Sequence, residues 1–431
     1  MKRIHVFTSA ACNYIPKVRV LVESVRRWHP EWVVHLALSD ALPAGIDLSA
    51  EPFDEVHAAA ELGIPDFAGW SFCHSIVELS TAIKPFVLQR LLARDDCAGV
   101  IYLDPDTVLF SRIDEVAEVL ETASIALTPH VTQPERTLDA IMDNEISSLK
   151  HGIYNLGFVA VAPTLEGRAF ADWWGQRIYH FCRADIPNGL FTDQRWIDLV
   201  PAFFEGVCIL RTPRLNVAPW NLTQRTLSGT APEAVEVDGE ALGFYHFTGF
   251  DSGAHRTMVQ RNAAGNTTAN ALVDWYDAVT RALGDDPLAR IPWHYGRYAD
   301  GSAISAAARL IYRERVDLQQ AFPDPFACAA ARSYRGWWEA QGRIEYPGLF
   351  EPQAVAAEMA RLTKALTPGF RGGAHTAQWD VQLLSSHLRQ AFGDAGHGRR
   401  LARRAWEILR TEGLSGVRRR LVRHGDGRVD G

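Results

Sequence analysis

GVIYLDPDTVLF, residues 99–110, joins an apolar strand to two carboxylates with one residue between them. Side chains two residues apart on an extended backbone point the same way, so Asp104 and Asp106 are predicted to face one divalent cation. Carboxylate oxygens suit Mn²⁺ or Mg²⁺, and such ions commonly neutralise a nucleotide diphosphate. Two nearby acids can also form an ordinary solvated turn. Their place at the end of a buried strand favours the metal site.

Short strands alternate with helices through the first half of the chain. The predicted strands are residues 4–8, 33–38, 53–56, 100–103, 125–128 and 157–162, and the predicted helices are 17–28, 75–92, 165–183 and 193–200. This alternation predicts an α/β fold, with a mostly parallel sheet and helices on both faces. Ligands bind beyond the carboxyl ends of the strands in such sheets, so the loops after Thr8 and Leu103 should open onto one crevice.

The length of 431 residues, with 47% hydrophobic residues, allows one large domain and a smaller one. The stretch Gly284-Asp-Asp-Pro287 resembles a linker, and the sequence beyond it is helical in pattern and rich in Arg and Ala. We therefore expect a catalytic α/β domain over residues 1–285 and a helical region over 286–395. A basic amphipathic tail is expected over 396–431.

The sequence lacks the apolar segments that mark export or membrane insertion. Met1-Lys-Arg leads almost at once into the first strand, and no run of about 18 apolar residues occurs. The six cysteines show no C-x-x-C spacing, which is typical of free thiols in a reducing compartment. A cytoplasmic protein is therefore expected.

Residues 399–423 carry nine Arg and two Glu, with apolar residues at helical spacing between them. Such a segment can make a peripheral contact with the anionic inner face of a membrane, or it can be a solvated helix packed on its own domain. No nucleic-acid partner is expected, because the whole chain has a net charge of −7.

Several further motifs accompany the carboxylate pair in a fixed order. They are Asn13-Tyr14, Lys84-Pro85, Tyr154-Asn155-Leu-Gly157, Thr192-Asp193-Gln194 and Tyr245-His246-Phe-Thr-Gly249. Over roughly residues 1–255 this set resembles the retaining GT-A glycosyltransferases of the glycogenin and bacterial lipooligosaccharide galactosyltransferase type. The resemblance implies a GT-A fold and transfer of a hexose, with retention, from a nucleotide diphosphate sugar to a saccharide or glycolipid acceptor. A uridine diphosphate sugar is the donor it favours.

The resemblance also implies roles for individual residues. Asp104, Asp106 and His246 would be the ligands of Mn²⁺ or Mg²⁺, and neutral imidazole is compatible with such a set. Asp193 and Gln194 would be the catalytic pair, Asp193 on the sugar hydroxyls and Gln194 near the anomeric carbon. The implied substrate-binding residues are Thr8, Asn13, Tyr14, Lys84, Asp104, Asn155 and Gly249.

Each of these residues has an ordinary structural explanation as well. Asn13 and Tyr14 could form a helix-entry turn before Pro16, Asp193 could cap a short helix, and His246 could be a satisfied core histidine. The sequence also departs from the family after His246. It lacks the Lys that often follows there to contact the leaving diphosphate, and Arg256 is a weak substitute.

Two other functions stay open at this point. A haloacid-dehalogenase-like phosphatase would use Asp104 as a phosphorylated nucleophile and Asp106 as acid or base. In that fold the nucleophile loop normally follows the first strand, whereas about a hundred residues precede it here. The other possibility is a catalytically silent sugar-binding protein.

Overall fold

The computed structural model describes residues 2–328 and 333–365. The strands are β1 Arg3–Ala10, β2 Val33–Leu38, β3 Glu55–Ala58, β4 Cys97–Leu103, β5 Thr107–Leu109, β6 Ile125–Pro129, β7 Tyr154–Val161, β8 Ala184–Asp185, β9 Leu190–Phe191, β10 Val207–Ile209, β11 Leu227–Thr230, β12 Ala234–Val237, β13 Glu240–Ala241 and β14 Phe244–His246. The helices are α1 Ile15–Trp28, α2 Phe67–Phe72, α3 Ile76–Ala82, α4 Lys84–Leu92, α5 Asp114–Val119, α6 Leu138–Ala140, α7 Ile146–His151, α8 Leu165–Phe181, α9 Gln194–Ile197, α10 Val200–Phe203, α11 Ala254–Ala263, α12 Thr267–Ala282, α13 Ala306–Glu314, α14 Val316–Ala321, α15 Tyr334–Trp337, α16 Arg343–Glu345 and α17 Val355–Ala365.

A seven-stranded sheet in the order β10-β6-β7-β4-β1-β2-β3 organises the first half of the chain. Strand β1 pairs in parallel with β2 and β4, β2 with β3, and β10 with β6. Strand β7 runs antiparallel to both of its neighbours, β4 and β6. The predicted α/β fold with a mostly parallel sheet is therefore confirmed, with one reversed strand that the sequence pattern did not indicate.

Helices cover both faces of this sheet because successive strand residues point to opposite sides. Along β4, Tyr102 packs into the core beneath α4 and α8, whereas Ile101 and Leu103 pack into the core beneath α1 and α5. Most side chains of these strands are buried in one of the two cores, which explains why hydrophobic residues predominate in them.

The helices after residue 286 share a core with α4 and α8. Tyr295, Ile311, Tyr312 and Tyr334 are buried in the same cluster as Trp174 of α8. The helical character predicted for this region is confirmed over its described part. The boundaries predicted at 285 and 395 remain predictions, and the tail 396–431, with its basic segment 399–423, lies outside the described residues.

Several predicted elements differ from the structure in their limits. The strand predicted at 157–162 is Tyr154–Val161, and the helix predicted at 193–200 is two short helices, Gln194–Ile197 and Val200–Phe203. The strand predicted at 53–56 is Glu55–Ala58, two residues later in the chain. The helix predicted at 75–92 is two helices, because α3 ends at Ala82 and α4 begins at Lys84 with Pro85 in its first turn. Proline favours a first-turn position, since its missing N–H is not needed there.

Among the described helices, none combines the length and the apolar character that crossing a membrane requires.

Gly167 provides a test of the packing at the start of α8. Its N–H donates to Thr164 Oγ1 at 3.0 Å, and a Cβ at this position would lie 2.1 Å from the carbonyl oxygen of Ala162. Because that oxygen belongs to the backbone, Gly167→Ala should lower the free energy of unfolding by about 2 kcal/mol, measured by chemical denaturation. The matched control is Gly265→Ala, whose Cβ would meet nothing within 4 Å. A similar loss in both variants would contradict this account.

Candidate active site

A cavity of about 1000 Å³ opens at the carboxyl ends of β1 and β4, as the sheet topology predicts. The residues predicted for the site that line it are Asn13, Tyr14, Lys84, Asp104, Asp106, Asn155, Asp193, Gln194 and His246. Thr8 and Gly249 are not among the lining residues. Thr8 is buried within β1 and its neighbour Ser9 reaches the cavity, while Thr248 lines the wall beside Gly249.

Asp104, Asp106 and His246 converge on one wall of this cavity. His246 Nε2 lies 3.0 Å from Asp106 Oδ1 and 3.6 Å from Asp104 Oδ2. Adjacent ligands in an octahedral site with bonds of about 2.1 Å lie about 3 Å apart. The three side chains therefore fit neighbouring positions around one Mn²⁺ or Mg²⁺ ion.

Long-range strand pairing creates this convergence. Strand β14 pairs with β5 so that His246 lies opposite Thr107, immediately after Asp106. The N–H of Phe247 donates to the Asp106 carbonyl at 2.8 Å, and the N–H of Asp104 donates to the Gly157 carbonyl at 2.8 Å. The carboxylate turn is thus held to both β14 and β7.

Hydrogen bonds through Asn155 fix the tautomer of His246. His130 Nδ1 lies 3.2 Å from the carbonyl of Ile153, so it carries the proton, and His130 Nε2 accepts from Asn155 Nδ2 at 3.3 Å. Asn155 Oδ1 is then the acceptor for His246 Nδ1–H, at 3.1 Å. This leaves the lone pair of His246 on Nε2, which faces the two carboxylates. Such outer hydrogen bonds are typical of metal-binding histidines.

The electrostatics of the wall favour positive charge. Burial alone would lower the pKa of His246, but the carboxylates of Asp106 and Asp104 outweigh it and hold that pKa above its usual value. The pKa of Asp106 is lowered, since His246 more than offsets the opposing effect of burial. A metal cation bound between these side chains would be attracted by the same two carboxylates.

Lys84 lies between two carboxylates and is itself only 5% exposed. Its Nζ is 3.4 Å from Asp104 Oδ1 and 3.3 Å from Asp193 Oδ2, and it stands over the ring of Tyr102 at 4.2 Å. Burial would lower the pKa of Lys84, but the two carboxylates raise it. Asp104, Asp106 and Asp193 outnumber Lys84 and His246, the two groups beside them that can carry positive charge, so the cluster has an excess of negative charge. A divalent cation would neutralise it.

Strained backbone presents the predicted catalytic pair. Thr192 has φ of +46°, which is rare for a β-branched residue, and its hydroxyl donates to Asp193 Oδ1 at 3.2 Å. The amide of Gln194 is engaged by the main chain: it donates to the His151 carbonyl at 2.9 Å and accepts from Leu156 N–H at 2.9 Å. Gln194 thereby ties the start of β7 to the helix before it.

The end of the cavity next to β1 is aromatic and polar. The Tyr14 hydroxyl donates to Asp251 Oδ2 at 3.1 Å, and Lys17 forms an ion pair with the same carboxylate. Asn13 Oδ1 is buried without a hydrogen-bond partner. A flat ring and an unused amide acceptor are suitable for holding a nucleobase. Arg256 does not line this cavity, since it pairs with Asp274 at 2.9 Å.

Sequence reasoning missed several residues of the wall. Residues 138–151 form α6, a π-helical turn at Ile141–Glu145 and α7, together called the rim helix here. Asp143, Ser147 and His151 of the rim helix line the cavity, and Arg261 of α11 pairs with Asp143 across its mouth. His130, Tyr102 and Trp220 were missed as well. Only Tyr102 had a local signal, because it lies two residues before Asp104 on the same strand.

Comparison with known proteins gives distant relatives. No family model matches the chain. The uncharacterized protein YfnF of Bacillus subtilis (strain 168) is 28% identical over 176 residues, which cover 40% of this chain and 57% of YfnF. The chain thus spans little more than half the length of that relative. The uncharacterized protein YfnD of the same organism is 25% identical over 255 residues, or 58% of this chain and 79% of YfnD.

Solved structures similar to this chain include several glycosyltransferases. The galactosyltransferase LgtC, in complex with donor and acceptor sugar analogs, is 16% identical with a TM-score of 0.36, over 66% of this chain and 97% of LgtC. A glycosyltransferase involved in glycosylation of the major capsid of PBCV-1 is 9% identical, with a TM-score of 0.32, over 64% and 99% of the two chains. WbbM, a bifunctional glycosyltransferase, is 14% identical, with a TM-score of 0.35, over 66% of this chain and 50% of WbbM. Likenesses at this level do not define a function.

Gly157 offers a test of the His246 geometry that changes no charge. A Cβ at Gly157 would lie 2.4 Å from His246 Cε1 and 2.8 Å from Asn155 Oδ1. Gly157→Ala should therefore push the imidazole away from Asn155 and weaken Mn²⁺ binding by about 10–100-fold, measured by electron paramagnetic resonance titration.

The control for this experiment is Gly265→Ala, which leaves the cavity untouched. Circular dichroism and thermal melting should show that the Gly157→Ala variant remains folded. Unchanged Mn²⁺ affinity in that folded variant would show that His246 takes no part in binding the ion.

Asp193 gives a prediction of how stability depends on pH. Burial raises the pKa of Asp193, Asp104 adds to the effect, and Lys84 opposes it only in part. A carboxyl group whose folded pKa exceeds its unfolded value of about 3.9 destabilises the folded state once it ionises. Asp193→Asn should therefore raise the melting temperature at pH 8 in EDTA. The gain should vanish below about pH 4, where the wild-type carboxyl is protonated in both states.

Asp47→Asn is the control for this measurement, because Ser49 lowers the pKa of the exposed Asp47. It should give no gain at pH 8. A lower melting temperature for Asp193→Asn at pH 8 would mean that the ion pair with Lys84 outweighs the cost of burial.

Proposed function

We propose that the chain is a metal-dependent, retaining glycosyltransferase of the GT-A type. It would move a hexose from a nucleotide diphosphate sugar, with a uridine diphosphate sugar as the expected donor, to a saccharide or glycolipid acceptor. The observation that carries the proposal is the convergence of Asp104, Asp106 and His246 Nε2 on the wall of a 1000 Å³ cavity. Charge, tautomer and distances at this wall all suit a divalent ion that faces a diphosphate.

The side chains around the cluster suit the departure of a nucleoside diphosphate. A bound Mn²⁺ or Mg²⁺ would supply the charge that stabilises the leaving group. The hydroxyl of Tyr102 donates to Asp104 Oδ1 at 2.5 Å and orients this carboxylate, while Lys84 adds a fixed positive charge beside it. Asp193 Oδ2 lies 3.3 Å from Lys84 Nζ, and this carboxylate can also accept from a sugar hydroxyl.

Retention is the part of the proposal that comes from the family resemblance. A double displacement would need a nucleophile near the anomeric carbon. The residue expected there is Gln194, whose amide is a poor nucleophile because it lacks the negative charge of a carboxylate. Both ends of the Gln194 amide are also held by the main chain. We therefore favour attack by the acceptor on the face from which the diphosphate departs, with a diphosphate oxygen taking the acceptor proton.

The rim helix favours an acceptor with an apolar part. Its polar residues line the cavity, whereas Leu138, Met142 and Leu149 point outward and are 71%, 55% and 65% exposed. Val77, which also lines the cavity, is 66% exposed. A glycolipid could place its sugar among the polar groups and its chain along these side chains. This supports a glycolipid over a free saccharide.

The phosphatase alternative finds less support in the geometry. A phosphatase would need an Asp104 oxygen free for nucleophilic attack, but Oδ1 accepts from Tyr102 and Oδ2 faces His246. The carboxylates also follow β4 rather than the first strand. A silent sugar-binding protein would have the same geometry, and only turnover distinguishes it.

A donor screen tests the proposal directly. The protein would be incubated with Mn²⁺ and a panel of nucleotide sugars, with free sugars or alkyl glycosides as acceptors, and nucleotide release would be measured. Wild-type protein should release nucleotide from at least one uridine diphosphate sugar. Asp106→Asn should lower that rate by about 100-fold or more while the fold remains intact, because it removes a charged ligand.

Asp143→Asn is a matched control, because Asp143 lines the same cavity but pairs with Arg261 instead of the cluster. This variant should keep most of the nucleotide release. Unchanged turnover in Asp106→Asn would remove the carboxylate pair from the chemistry. A covalent phosphate on Asp104 would favour the phosphatase, and donor binding without release would favour the silent protein.

A further inference from the structure

Three buried histidines form a row across the edge of the main sheet. His5, His35 and His57 belong to the neighbouring strands β1, β2 and β3, and each is at most 6% exposed. His5 Nδ1 lies 2.9 Å from His35 Nε2, and His35 Nδ1 lies 3.1 Å from His57 Nε2. Glu55, at the start of the edge strand β3, lies beside His35 and His57.

We propose that His35, His57 and Glu55 form a second metal site, for Zn²⁺ or a similar transition-metal ion. Glu55 Oε2 lies 3.7 Å from His35 Nδ1 and 3.8 Å from His57 Nε2, and the two nitrogens are 3.1 Å apart. Ligands of a tetrahedral zinc ion, with bonds of about 2.0–2.1 Å, lie about 3.4 Å apart. These three atoms therefore approximate one face of such a tetrahedron.

The hydrogen bonds behind His35 give it the tautomer that the site needs. His5 Nε2 makes no hydrogen bond to the described residues, but it lies 3.4 Å from Asp96 Oδ1, and the charge of this carboxylate favours a proton on that nitrogen. His5 Nδ1 then accepts a hydrogen bond from the N–H of His35 Nε2. The lone pair of His35 consequently lies on Nδ1, where it accepts the N–H of His57 Nε2 at 3.1 Å. A bound metal ion would take the place of that proton, which His57 can carry on Nδ1 instead. A carboxylate–histidine relay of this kind commonly supports a metal ligand.

A second histidine cluster lacks this property. His29 lies near Glu31 and Asp114, at 3.3 and 3.9 Å from its Nδ1. However, His29 Nε2 accepts the N–H of Ile113 at 2.9 Å, so its proton is on Nδ1. The proton on Nδ1 cannot move to Nε2, because the Ile113 N–H occupies the lone pair there, so the nitrogen that faces the carboxylates cannot bind a metal. His29 is therefore a suitable comparison for the proposed ligands.

The donor set indicates the class of ion and its effect. Two imidazoles and one carboxylate suit zinc better than Mg²⁺, which prefers oxygen ligands. Arg94 contacts both oxygens of Glu55 at 3.0 Å and fixes the direction of this carboxylate. Because β3 is the edge strand, a bound ion would join it to β2 through side chains. The ion would stabilise the folded protein rather than act on substrate.

The test uses the full chain and Zn²⁺ alone. Zinc can also bind the cluster in the cavity, so every protein carries Asp106→Asn to weaken that site. After equilibrium dialysis and elemental analysis, the Asp106→Asn protein should retain one equivalent of zinc, and Asp106→Asn/His57→Gln should retain none. Zinc should raise the melting temperature of the Asp106→Asn protein but not that of Asp106→Asn/His57→Gln. The glutamine side chain introduced by His57→Gln keeps an N–H that can donate to His35, so the hydrogen bond can survive the loss of the ligand.

Asp106→Asn/His29→Gln is the matched control and should bind zinc like the Asp106→Asn protein. Cobalt gives an independent measurement, because four-coordinate Co²⁺ absorbs visible light strongly, and this band should depend on His57. Equal zinc contents with and without His57, or equal loss in the His29 variant, would overturn the proposal. The result does not depend on whether the cavity transfers sugar.

Discussion

Three carboxylates lie around the buried Lys84 on one wall of the cavity, and their mutual repulsion is the constraint around which the site is built. Asp104, Asp106 and Asp193 would each be costly to bury alone. Lys84, Tyr102 and His246 compensate part of that cost, and the excess negative charge that remains would attract a divalent cation. Because the compensation is incomplete, this wall lowers the stability of the folded protein. This is the usual relation between an active site and its scaffold.

Local patterns in the sequence were enough to predict the sheet and the carboxylate pair. Apolar runs and helical periodicity lie within single elements, and they indicated most strands and helices to within a few residues. The direction of β7 was not predictable in this way, because a strand buried on both faces has the same composition in parallel and antiparallel pairing. The rim helix was missed for a related reason: its apolar residues face outward, so no buried stripe marks it.

The contacts among the site residues depend on pairing between distant segments. His246 reaches Asp106 only because β14 pairs with β5, and its orientation depends on Asn155 and His130, which lie on β7 and just after β6. No local signal indicates such an arrangement. The sequence indicated which residues would lie together in the site, whereas the structure shows their hydrogen-bond partners. Asn155, predicted as a substrate contact, hydrogen-bonds to His246, and Gln194, predicted as a catalytic residue, hydrogen-bonds to the main chain.

The reversed strand β7 connects the rim helix to the proposed metal ligands. Because β7 runs against its neighbours, its first residues, not its last, reach the cavity, and they directly follow the rim helix in the chain. Gln194 joins the end of that helix to Leu156, and Asn155 holds His246. The region that would receive the acceptor and the ligand that would hold the donor's ion are thus connected by a short chain of hydrogen bonds, so a displacement of the rim helix would be transmitted to His246.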